Sequence, residues 1–318
     1  MRIGVVFPTY TIGNDPGGVR DYIETAEALG FKHILTFDHV LGAGLGTRPD
    51  WAGPYDYTNA FHEPMVLFGF MAALTRTIEL VTGVLILPQR QTALVAKQAA
   101  EVDVLSNGRL RLGLGVGWNP VEYEGLGQDF HKRGRRLEEQ IALLRALWAD
   151  DLVTFKGEFD TVIDAGINPL PVNRHIPLWI GGNAEAALKR MARIADGWFP
   201  LFMPGDQGEA IIDRVRQYLL DANRGVSDFG PQFGMDPMLQ SGNNGPQEWG
   251  AEVEWWKRHG ATHLSFNTMS LEAIQRAARL GLGVSGDALA NAKNIDRQGP
   301  KEHIAAITQF AGVVKGQL

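Results

Sequence analysis

The sequence contains no cysteine. Disulfides, thiolate metal sites and cysteine nucleophiles are therefore excluded, and a cytoplasmic address is expected. It has little that would enter a bilayer. The longest apolar run, Met65 to Leu74, meets Thr75 and Arg76 at once and fits a buried helix better than a span. It lacks an excess of positive charge: the formal net charge is −6, which argues against a nucleic-acid partner. No signal peptide is expected, because Met1-Arg2 leads directly into the core-like run Ile3–Phe7. His33, His39, His62, Glu63 and His131 form neither H-x-H nor H-E-x-x-H, so no metal site is expected. No serine stands in G-x-S-x-G, which removes the nucleophile elbow.

What the chain does have is glycine in unusual places. From Leu110 a buried-looking strand dissolves into Gly113, Gly115 and Gly117, followed by Trp118. Alternating glycines at the end of a strand allow something to approach the backbone. The dinucleotide fingerprint G-x-G-x-x-G fails, because its third glycine would fall on Trp118 or on Pro120.

Short apolar runs alternate with amphipathic segments along the 318 residues. Strands are predicted near Ile3–Phe7, His33–Thr36, Glu79–Leu85, Leu110–Gly115, Leu178–Ile180, Gly197–Phe199, Phe233–Leu239 and His263–Phe266. Helices are predicted near Val19–Leu29, Glu63–Leu74, Ala93–Leu105, Arg133–Trp148, Glu185–Ile194, Gly208–Leu220, Pro246–His259 and Lys301–Val314. Eight strand–helix pairs favour an α/β (β/α)8 TIM barrel over a doubly wound open sheet. Val153–Val162, alternating about Lys156-Gly157, reads as an added hairpin. Met269–Gly299 is long for a connection and reads as a lid or insertion. No repeat or linker divides the chain, so one domain over 1–318 is expected.

Three strand ends carry candidate chemistry. Asp38-His39 leaves the second strand, and an adjacent carboxylate and imidazole can orient one another; a capping aspartate beside a surface histidine is the plainer alternative. Gly83 interrupts the third strand between Thr82 and Val84, which implies a bulge with or without a flat ligand against it. Gly181-Gly182-Asn183 runs into a helix, which reads as an anion pocket or as an ordinary helix start.

In order along the chain stand Ile3–Phe7, Ala26-Glu27-Ala28-Leu29-Gly30-Phe31, Asp38-His39, Gly83-Val84-Leu85-Ile86-Leu87-Pro88, Ala96-Lys97-Gln98-Ala99-Ala100 and Leu105-Ser106-Asn107-Gly108-Arg109-Leu110. Gly113 to Trp118 with Glu122, Pro177-Leu178-Trp179-Ile180-Gly181-Gly182 and Ala195-Asp196-Gly197-Trp198 follow. In these phrases the chain resembles the luciferase-like monooxygenase superfamily, and within it the branch that uses the deazaflavin coenzyme F420. The resemblance implies a (β/α)8 barrel with insertions, a flavin-type ring at its C-terminal face and a homodimer. It implies a non-proline cis peptide at Gly83–Val84, with Thr82 beside it, supporting the ring. It places His39 at the reacting centre with Asp38 polarising it, Gly115, Gly117 and Trp118 along the cofactor, and Gly181, Gly182 and Asn183 at its phosphate. The F420-dependent glucose-6-phosphate dehydrogenases have glutamate where Trp118 aligns, and lysines where this chain has Pro200–Gly205, so a sugar phosphate is not the expected substrate. Trp51, Trp118 and Phe202, with Tyr55, Tyr57, Phe61 and Met203, imply an apolar small-molecule pocket, about half of these side chains packing under loops. The implied activity is hydride transfer between F420 and an apolar organic molecule. An FMN-dependent monooxygenase and a non-catalytic flavin-binding barrel are the alternatives.

Overall fold

A computed structural model describes residues 1–48, 51, 53, 55–240, 245–269 and 297–318. Strands β1 (Arg2–Val6), β2 (His33–Thr36), β3 (Glu79–Ile86) and β4 (Leu110–Gly115) alternate with helices α1 (Pro16–Ala28), α2 (Pro64–Leu74) and α3 (Thr92–Ser106). After β4 come the short α4 (Pro120–Gly125), the long α5 (Arg133–Ala149) and the hairpin β5 (Val153–Lys156) and β6 (Thr161–Ala165). Then follow β7 (Leu178–Gly181), α6 (Glu185–Ile194), β8 (Gly197–Phe199) and α7 (Asp206–Asp221). The chain continues through β9 (Gly234–Met235), β10 (Met238–Gln240), α8 (Pro246–Arg258), β11 (His263–Asn267) and α9 (Gly299–Val313). The lid expected over 269–299 falls largely on 270–296, outside the described residues.

Nine strands form one curled parallel sheet in the order β10-β11-β1-β2-β3-β4-β7-β8-β9. The antiparallel hairpin stands apart from it. Period-two alternation explains the layering. Ile3, Val5, Ile34, Leu80, Leu112, Leu114, Leu178, Ile180, Leu264 and Phe266 join the helices in one large core. Their alternates Val6, Leu35, Val81, Trp179 and Phe199 form a second cluster with Met269.

One predicted strand needs correction. Phe233–Leu239 is two strands, interrupted at Asp236-Pro237. Proline has no N–H to give a ladder, but its carbonyl accepts from Ser265 N–H at 2.9 Å. β9 pairs with β8 and β10 pairs with β11, so the two ends of the strand order are neighbours in sequence.

The interruption places a carboxylate inside the sheet. Asp236 Oδ2 lies 3.2 Å from both Nη atoms of Arg111 and 3.3 Å from His33 Nε2. Ser265 Oγ donates to Asp236 Oδ1 at 3.0 Å. Burial alone would raise this carboxyl, but His33 and Arg111 outweigh it and hold it well below the usual range. The polar cluster fills the interior toward the N-terminal strand ends. There a cavity of about 770 Å³, lined by Arg2, Glu79, Arg111 and His263 among others, opens at the end opposite His39.

Candidate active site

β2 ends at Thr36, and the chain turns outward through Phe37-Asp38-His39. Asp38 is buried and both its oxygens are engaged. Ile86 N–H donates to Oδ2 at 2.9 Å and Arg90 Nη2 to Oδ1 at 2.7 Å. Arg90 is held from the other side by Glu63 at 2.9 Å. Asp38 therefore ties the loop after β2 to the end of β3.

The carboxylate beside His39 comes from elsewhere. Asn119 Oδ1 accepts Val121 N–H at 2.9 Å and Pro120 opens the turn, so α4 begins there and carries Glu122 inward. Glu122 Oε1 accepts from Val40 N–H at 2.7 Å and Leu41 N–H at 3.2 Å. Glu122 Oε2 stands 3.3 Å from His39 Nδ1, Tyr55 Oη and Gln89 Nε2. Tyr55 Oη also hydrogen-bonds His39 Nδ1, and Asn119 Nδ2 donates to it at 3.0 Å. The expectation that Asp38 polarises His39 is thus corrected: Arg90 and Ile86 engage Asp38, and Glu122, 83 residues away in sequence, takes that place.

Electrostatics fix the protonation pattern. Burial pushes the Glu122 carboxyl up, but the hydrogen bond and charge of His39 and the Val40 and Leu41 amides bring it below its ordinary value. Burial, and then the Glu122 charge, push the Tyr55 phenol up, so it stays protonated. An ionised carboxylate facing Nδ1 assigns that nitrogen the proton in the neutral ring. Nε2 keeps its lone pair.

Aromatic rings surround the imidazole. Its centroid lies 4.0 Å from Tyr55, 4.9 Å from Phe61 and 6.1 Å from Trp118, and Trp51 leans on Trp118 at 5.6 Å. Phe202 lies apart, packed on Trp198 and Trp256 at 5.7 and 5.4 Å. Tyr57 is exposed.

β3 carries the expected bulge. Its register shifts between Thr82 and Leu85, and the Gly83–Val84 peptide is cis. The glycines of β4 serve this bulge directly. A Cβ on Gly113 would lie 2.0 Å from the Thr82 carbonyl oxygen, one on Gly115 2.4 Å from Val84 Cγ2, and one on Gly117 2.8 Å from Ile86 Cγ2. A Cβ on Gly181 would meet Val84 Cγ1 at 2.8 Å. The first effect of the glycine run is therefore room for the chain's own third strand. Thr82 Oγ1 locks the two strands by donating to Gly113 O at 2.7 Å.

At the fifth predicted strand end, Gly182 adopts φ +125°, a left-handed value that favours glycine. The Asn183 amide is occupied at both ends by Leu201, donating to its carbonyl at 2.6 Å and accepting its N–H at 3.1 Å. Asn183 thus holds the loop after β8, and the free donors near it are the first N–H groups of α6. Among the described residues no group of three metal-ligating side chains gathers, and no helix is long and apolar enough to cross a membrane.

Glu122 was legible only as part of the quoted phrase following Trp118. The Asn-Pro pair before it signals a helix start, but not what that helix reaches.

Comparison with known proteins adds three likenesses. An uncharacterised protein of Mycobacterium tuberculosis is 38% identical over 206 residues, 63% of this chain and 71% of that one. The FMNH2-dependent dimethylsulfone monooxygenase of Pseudomonas fluorescens is 32% identical over 203 residues, 62% of this chain and 51% of its own length. The structure of an F420-dependent secondary alcohol dehydrogenase in complex with an F420–acetone adduct superposes with a TM-score of 0.65 at 17% identity, over 98% of this chain and 90% of that one. The family profile described as luciferase-like monooxygenase matches residues 1–244, and the chain belongs to that family.

Proposed function

We propose that the protein is an oxidoreductase that moves a hydride between coenzyme F420 and an apolar organic small molecule. The observation that carries this reading is His39, held through Nδ1 by Glu122 and Tyr55, with its ring among Tyr55, Phe61 and Trp118. The residues fit a flat cofactor. Val84, accommodated by the bare backbone of Gly115 and Gly181, offers an apolar bulge on which a ring can rest. Thr82, Gly83 and Gly117 shape that wall, and the N–H groups of α6 after Gly181 and Gly182 suit a phosphate. When bound, the cofactor supplies a carbon that gives or takes the hydride.

The chain's own residues do the rest. Trp118, Trp51 and Phe61 exclude water and pack the substrate's apolar body. His39 Nε2 takes the proton of a substrate hydroxyl as its carbon is oxidised, or returns it in the reverse direction. Glu122 stabilises the imidazolium formed, and Asp38 with Arg90 holds the loop in register. General acid–base help of this kind contributes about 10²–10⁴-fold. We read the sheet as a barrel closed through the interrupted segment at Asp236-Pro237, because β9 and β10 are consecutive in the chain. We also read the protein as a homodimer through α2 and α3, which pack together and expose Val66, Leu94 and Leu105.

The second reading is FMN-dependent monooxygenation, favoured by the 32% identity to the dimethylsulfone enzyme. Titration of purified protein with F420 and with FMN decides between them. F420 bound in preference, with His39→Ala abolishing turnover but not cofactor binding, is the expected result. Tight FMN binding with oxygen uptake overturns the F420 reading, and equal loss of binding and turnover in His39→Ala overturns the role of His39.

A further inference from the structure

The cavity at the N-terminal ends of the strands takes no part in the chemistry assigned above. Arg2, Glu79, Arg111 and His263, which line it, stand at or next to the first residues of β1, β3, β4 and β11, whereas His39 follows the last residue of β2. The sheet is parallel, so a molecule in this cavity lies at the far end of the strands from His39 and is not its substrate. The volume of about 770 Å³ falls within the range of small-molecule pockets.

The floor of the cavity carries a buried cation. Arg111 lines it although only 2% exposed. Its guanidinium lies 4.2 Å over the Trp179 ring and 5.5 Å over that of Phe199. Asp236 Oδ2 accepts from Nη1 and Nη2 at 3.2 Å, and Glu79 Oε2 stands 3.3 Å from Nε and 3.2 Å from Nη2. A guanidinium has five N–H groups. These contacts engage at most four, so the second N–H of Nη1 has no acceptor among the described residues. Packing alone is served as well by an apolar side chain as by a buried ion pair, so stability does not by itself select a cation facing open volume.

The walls have donors to spare and acceptors already taken. Glu79 is held by Arg111, and Asp196 accepts from Leu178 N–H at 2.9 Å and from Arg145 Nη2 at 3.2 Å. The cations at the rim are held loosely. Among the described residues Arg2 reaches only Glu79, at 4.0 Å, and His175 only Asp196, at 3.8 Å, and both side chains are half-exposed. Burial, and then Arg111, push the His263 imidazole far down, so it stands in the wall as a neutral ring. Pro177, Trp179, Pro231 and Ala261 add apolar surface. A cation would meet Arg2 and Arg111 with no free carboxylate, whereas an anion finds both. With Glu79, Asp196 and Asp236 close by, one negative charge is tolerated better than the two of a phosphate.

We propose that this cavity is a second binding site, for a small organic monocarboxylate with an apolar body. The carboxylate meets Arg2 and His175 at the rim and the spare N–H of Arg111 at the floor, and the body lies along Trp179, Pro177 and Pro231. The site stands whether or not the hydride-transfer reading does, because it shares no residue with it.

The test is calorimetry on the whole protein with three probes: 2-naphthoate, its neutral counterpart 2-naphthamide, and acetate. A hydrogen bond to a charged group is worth roughly tenfold or more in affinity. The parent is therefore expected to bind naphthoate roughly tenfold more tightly than naphthamide, and acetate, which has no apolar body, far more weakly than either. Replacing Arg111 would unsettle the core, so the rim is changed instead. Arg2→Gln/His175→Gln alters two half-exposed side chains and is expected to lose most of the preference for naphthoate while keeping naphthamide binding. His39→Ala is expected to keep the full preference, which locates the probe away from the candidate active site. The proposal is overturned if the parent does not bind naphthoate, binds naphthamide equally well, or binds acetate as tightly. It is also overturned if Arg2→Gln/His175→Gln keeps the preference, or if His39→Ala loses it.

Discussion

Glu122 is the residue on which loop, tyrosine and imidazole converge, and its replacement separates two effects. Glu122→Gln keeps one carbonyl oxygen for the Val40 and Leu41 amides, 2.7 and 3.2 Å away in the parent, and so keeps the loop. It removes the charge and points an NH2 toward Gln89 Nε2, itself a donor. The cost is the difference between charged and neutral hydrogen bonds, about 1–2 kcal/mol. Glu122→Ala leaves two backbone donors, Gln89 and the Tyr55 phenol without their acceptor, at about 3–5 kcal/mol. Urea denaturation with the same slope for parent and variants measures both. pH supplies the control. The Glu122 carboxyl lies lower folded than unfolded, so its contribution is present above the ordinary carboxylate range and disappears as pH falls through the folded value. The parent should therefore lose more stability on acidification than Glu122→Gln. If Ala costs no more than Gln, or the two proteins respond identically to acid, Glu122 does not anchor the site as argued.

Three further outcomes follow from contacts elsewhere. Gly115→Ala places a Cβ 2.4 Å from Val84 Cγ2 and should cost about 1–3 kcal/mol, with Val84→Ala recovering part of it in a double-mutant cycle. Asp236→Asn leaves Arg111 with Glu79, 3.2 Å away, as its remaining carboxylate and should cost about 1–3 kcal/mol, read from the thermal midpoint. Burial raises the Glu252 carboxyl to about 7, so its cost to folding grows as pH rises from the ordinary carboxylate range to about 7 and is constant above that. Glu252→Gln should change stability little at pH 4 and raise it at pH 9 by roughly 3 kcal/mol.

The fold was legible because its strands alternate. Ile3, Val5 and Phe7 face the helices while Gly4 and Val6 face inward, a period visible in the letters alone. Asp236-Pro237 escaped notice because an apolar strand pattern surrounds it, and the reason for the interruption, Arg111, lies 125 residues away. The same limit hid Glu122. Adjacent Asp38-His39 looked like a pair, but neighbours leaving a strand point apart, and each found a partner on another element. Of the six flagged rings, Tyr55, Phe61 and Trp118 do gather on His39, with Trp51 behind Trp118.

The glycines are the place where one pattern has two meanings. Gly113, Gly115 and Gly117 lack side chains because Thr82, Val84 and Ile86 occupy that volume. β4 is thus the backing that lets β3 bulge, and in the proposed reading it is β3, at Val84, that meets the ring. On the proposed reading that support touches only the face of the ring, which a flavin and a deazaflavin share. Discrimination has to come from groups that reach past the ring.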